Sequence, residues 1–62
     1  MKNRVKEERI KKRMRLVDLA NKSGVSLSAV WNVEQGYFGI SLKTKEKVAK
    51  ALGAEVKELF NE

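Results

Sequence analysis

Two glycines set the frame of this chain. Gly24 and Gly36 each close a short run with helical periodicity, LVDLANKS and LSAVWNVEQ. Glycine takes the left-handed conformation that ends a helix, and Ser26, two residues past Gly24, is a good cap for the next one. A segment written this way makes two short helices joined by a tight turn. Such helices pack only if the residue at their crossing is small and the second is pinned by apolar contacts. Ala20 meets the first demand, and Val25, Val30 and Val33 meet the second.

The rest of the chain is punctuated alike. Proline is absent, and no β-branched or aromatic run reaches strand length, so the fold class is all-α. Asn3 can cap a first helix from Arg4 to about Arg13, with Val5, Arg9 and Ile10 near one stripe. The second helix spans Leu16 to Ser23 and the third Leu27 to Gln35. YFGIS is a loop. Ser41 caps a fourth helix, Leu42 to about Leu52, stopped by Gly53, and a last one covers about Glu55 to Asn61. With 62 residues this is a single domain, 1–62, of marginal core size. It has neither cysteine nor histidine, which excludes disulfides and Cys/His metal sites and leaves self-association as the common way to bury more area. No apolar run is long enough for a membrane span or a signal peptide, so a cytoplasmic location is expected.

Charge is concentrated. Residues 1–15 carry eight basic and two acidic side chains, while the other 47 balance at six against six. The excess is either a solvated, solubilising face or a face for a polyanion, most simply nucleic acid. No basic residue occurs between Lys22 and Lys43.

Register divides the third helix. Val30, Val33 and Glu34 share one face, with Ala29 beside them; Leu27, Ser28, Trp31, Asn32 and Gln35 share the other. The valines belong inside, so Trp31, the chain's one tryptophan, points outward unless it folds over the helix edge onto its neighbours. Glu34 is carried inward, where a carboxylate needs a partner. Arg9, on the inward stripe of the first helix, is the expected one. The two are read as a structural ion pair rather than catalytic groups.

These residues resemble the Cro/repressor type of helix-turn-helix proteins. NRVKEERIKKRM is similar to that family's first helix, DLANKSGVSLSAVWNVEQG to its central motif, and ISLKTKEKVAKALGAEVKELF to its last two helices. The likeness covers nearly the whole chain and implies a compact five-helix, lambda-repressor-like domain. The family's inward Arg–Glu pair falls on Arg9 and Glu34. Some positions depart from the pattern: Leu16 replaces a phosphate-binding Gln, Arg13 a Gly, Arg15 a capping Thr, and Lys45 a Leu.

The resemblance implies a transcriptional regulator that binds double-stranded DNA, with a repressor the expected form, acting as a homodimer on two half-sites. The third helix would read bases in the major groove through Leu27, Ser28, Trp31, Asn32 and Gln35. Asn32 suits adenine and Leu27 a thymine methyl, so a site rich in A·T fits better than one rich in guanine. Phosphates would be held by Arg13, Arg15, Lys22, Lys43 and Lys45 and by the helix ends at Leu16 and Ser26. Tyr37, Phe38, Ile40 and Phe60 are the candidate dimer interface, with Phe38 or Ile40 also contributing to the core. The competing reading is a protein–protein module on the same fold, such as the antitoxin of a toxin–antitoxin pair, with Trp31 and Leu27 as the anchor. Enzymatic activity is not expected, because no nucleophile–base pair is visible. Neither a cofactor nor a small-molecule ligand is expected.

Overall fold

A computed structural model of the chain describes residues 3–36 and 39–60. Its elements are α1 (Val5–Lys11), α2 (Leu16–Ser23), α3 (Leu27–Gln35), α4 (Leu42–Ala51) and α5 (Val56–Phe60), with no strand among the described residues. The helices enclose one core, in which Val5, Leu19, Val30, Val33, Val48, Leu52 and Leu59 are fully buried. Met14, Leu16, Val25 and Ile40 pack against its edge.

The punctuation of the α2–α3 unit is as the sequence implied. Gly24 ends α2 at φ 75°, and its N–H donates to Ala20 O at 2.9 Å. Ser26 Oγ accepts Ala29 N–H at 3.1 Å and opens α3. Ala20 is buried at the crossing, and Val25 N–H also donates to Ala20 O, at 3.2 Å, which closes the turn. Ser41 caps α4 in the same way, accepting Thr44 N–H at 3.2 Å.

Differences gather at the chain ends. The first helix stops at Lys11 rather than near Arg13, because Arg13 takes φ 56°, a left-handed conformation that no continuing helix allows. Ile10, placed near the inward stripe from sequence, is 56% exposed. At about 100° per residue it lies about 140° around the helix from Val5, whereas Arg9 lies about 40° from it. Asn3 sits one position before the N-cap residue Arg4, and its Oδ1 accepts Val5 N–H at 3.0 Å. Phe60, assigned to a dimer interface, is instead buried in the core, with Lys45 Nζ 5.2 Å above its ring. Ile40 is half-buried against the core, in line with the expectation that Phe38 or Ile40 would pack there. The interface residues Tyr37 and Phe38, and Asn61 at the end of the last helix, lie outside the described residues. Residues 4 and 59 meet: Arg4 N–H donates to Leu59 O at 2.8 Å.

Candidate nucleic-acid interface

The position of α3 is fixed from α1. Arg9 Nε donates to Glu34 Oε2 at 2.6 Å and Nη2 to Oε1 at 3.4 Å, with side chains only 11% and 3% exposed. The third arm of the guanidinium, Nη1, donates to Met14 O at 2.7 Å. One side chain therefore joins α1, the turn before α2, and the end of α3. Asn3 adds a second tie, with Nδ2 donating to Val33 O at 2.7 Å. No buried side-chain nitrogen or oxygen among the described residues lacks a partner. A planar donor fork satisfied on every side holds geometry better than a flexible ammonium would.

With its inward face so anchored, α3 presents the other face to solvent. Leu27 is 49% exposed and Trp31 45%, while Ser28 and Gln35 are exposed. Asn32 is half-buried at the margin of this stripe. Leu27, Trp31 and Gln35 are spaced by four and lie on one line along the helix. The only charged side chain on α3 is Glu34, and it is consumed by Arg9. The outward face of α3 is thus uncharged, carrying apolar, hydroxyl and amide groups. Two further apolar side chains stand exposed in helix first turns, Val17 on α2 and Leu42 on α4; sequence reasoning did not single them out.

The basic residues divide into two groups. Arg4 pairs with Glu7 at 3.1 Å and Glu8 at 3.5 Å, and Lys11 with Glu8 at 3.3 Å and Glu7 at 3.8 Å. Arg15 is clasped by Asp18, Nε to Oδ2 and Nη2 to Oδ1, each at 3.1 Å. Asp18 Oδ2 also accepts Arg15 N–H at 2.8 Å, which caps α2 from its third residue. The Arg15 side chain and then its backbone N–H hold the Asp18 carboxyl below the usual carboxylate range, and the same contact raises the Arg15 guanidinium. An acid three residues after a capping position was the signal for this lock. Lys6, Lys12, Arg13, Lys22 and Lys43 are exposed and make no ion pair among the described residues. Of the residues assigned to phosphate, Arg13, Lys22 and Lys43 therefore keep a free cation, whereas Arg15 is shared with Asp18. Lys45 is half-buried with its charge over Phe60, and Leu16 is half-buried against the core. Ser26 has a lone pair in the α3 cap and a hydroxyl proton still to donate.

The sequence profile of the helix-turn-helix family matches residues 5–59. The chain belongs to this family, in its Cro/C1-type branch. It is 37% identical over 60 residues to a protein of Methanocaldococcus jannaschii named as an uncharacterized HTH-type transcriptional regulator, covering 97% of this chain and 91% of that one. A similarly named protein of Archaeoglobus fulgidus is 33% identical over 60 residues, covering 97% of this chain and 84% of its own length. No solved structure matches significantly. No helix among the described residues is long and apolar enough to cross a membrane.

Proposed function

We propose that the chain is a non-enzymatic, sequence-specific regulator of transcription acting on double-stranded DNA, a repressor that works as a homodimer from a single domain over residues 1–62. The observation that carries this reading is the division of α3. Its inward face is locked by Arg9, Glu34 and Asn3, and its outward face, Leu27, Ser28, Trp31 and Gln35 with Asn32 at the margin, faces solvent in the manner a major-groove helix requires. Affinity comes from phosphates bound by Arg13, Lys22 and Lys43, by Ser26, and by the amides at the start of α3. Arg15 contributes less, because Asp18 neutralises it locally.

Mobility shift against a random-sequence duplex pool, followed by a salt titration of the selected site, tests this. Four to six neutralised phosphates per subunit, eight to twelve per dimer, give a slope of log K on log salt of about −7 to −11. Arg13→Ala weakens all sequences alike and flattens the slope by about 1 per subunit. A tight complex insensitive to salt, formed with a protein and not with DNA, supports the antitoxin-type reading instead. The dimer seam is assigned to Tyr37 and Phe38. Tyr37→Ser is expected to lower self-association in sedimentation, and a monomer that protects one half-site overturns the dimer.

A further inference from the structure

We infer that Leu27 and Trp31 make this protein a reader of thymine C5-methyl groups. The inference rests on the reading above that α3 enters the major groove, and it names the base feature α3 selects. Leu27 and Trp31 stand one turn apart on the outward line of α3, each about half exposed. No charged side chain shares that face, since Glu34 is turned inward onto Arg9. The strongest guanine contact, a basic side chain spanning O6 and N7, has no donor here. Every base edge in the major groove offers polar atoms, and thymine alone adds an apolar group.

The same side chains act by exclusion. A guanine or cytosine edge beneath Leu27 or the flat face of the indole loses water against an apolar surface, a cost that a methyl group does not incur. Gln35 ends the line and Asn32 stands at its margin, both with amides able to span adenine N6 and N7, so an A·T pair can be read from both of its bases. Discrimination therefore arises from an apolar fit and from a penalty on the alternatives, without an added charge.

Deoxyuridine in place of thymidine removes one methyl group and nothing else, which makes it the probe. Each thymine of the duplex selected from the random pool is replaced singly and the affinity of the 62-residue chain is measured. One or two positions are expected to lose about fourfold, the value of one buried methyl group. Leu27→Ala or Trp31→Ala should bring that ratio below twofold at its own position. If truncation to Ala abolishes binding, Leu27→Val, with a shorter reach, must still narrow the ratio. Equal affinity for thymine and uracil duplexes at every position overturns the inference and leaves DNA binding standing, as does a ratio untouched by all three substitutions. A pool from which no duplex is selected overturns the DNA reading itself, and this inference with it.

Discussion

Two arginine–carboxylate pairs with nearly the same chemistry stand at opposite ends of the burial scale. Arg9–Glu34 joins residues 25 apart in sequence, is almost dry, and spends its third donor arm on Met14 O. Arg15–Asp18 joins residues three apart, lies in water, and sits in the first turn of one helix. Burial decides what each pair does. The inner one converts charge into geometry, because neither partner tolerates the loss of the other. The outer one converts geometry into charge, because it caps α2 while cancelling a cation on a face otherwise rich in them.

The comparison breaks most visibly at its inner member. Arg9→Ala or Glu34→Ala is expected to cost about 3–5 kcal/mol by stranding the partner, measured by urea unfolding. Replacing both together by Met and Leu should recover most of that loss. If either single substitution leaves the midpoint unchanged, the pair does not carry the position of α3.

The turn between the two pairs sharpens the contrast. Arg13 holds φ 56° next to the carbonyl that Arg9 grips. Arg13→Gly should raise stability by about 0.5–1 kcal/mol, since glycine takes that conformation without the side-chain clash, partly offset by a freer unfolded chain. The same change should lower DNA affinity and flatten the salt slope. Opposite signs in the two measurements identify a strained residue kept for its charge.

The smallest effects belong to the outer pair. Raising salt from 0.1 to 1 M shrinks the screening length from about 10 to 3 Å and should weaken Arg15–Asp18 while sparing Arg9–Glu34. Because the Asp18 carboxyl is held low in the folded state, its contribution is complete above the unfolded value and fades as pH falls through the folded one. Protection of the first-turn amides of α2, relative to their intrinsic exchange at the same pH, should therefore fall as Asp18 is protonated in acid. Asp18→Asn should remove that response and strengthen DNA binding modestly, as Arg15 is released. Unchanged affinity would mean that Arg15 never faces phosphate.

Local punctuation made the centre of the fold legible. Gly24, Ser26 and Gly36 bound α2 and α3 from neighbours alone, and a nine-residue register was long enough to send Val30, Val33 and Glu34 inward. Arg9 followed because a carboxylate carried inward needs a cation. The ends were less legible, for physical reasons. Ile10 is apolar but lies about 140° around α1 from Val5, so its register, not its hydrophobicity, decides that it faces water. Phe60 belongs to a five-residue helix whose orientation is set by α4, so its burial depends on a crossing that no short window encodes. Lys45 reads as a surface cation until Phe60 is seen beneath it. Asn3 binds Val33 O across 30 residues, and no local pattern announces such a contact.

The bond from Arg4 N–H to Leu59 O closes the chain nearly into a ring. In a ring, the order of helices along the chain is a matter of where the circle is cut. Joining residue 60 to residue 3 through a linker of a few residues, and opening the exposed turn at Gly53, would place α5 before α1 without separating any pair of neighbours. Such a permuted chain should fold to the same helix packing and keep the outward face of α3. A segment entering at residue 3 and one leaving at residue 60 would share one corner of the domain.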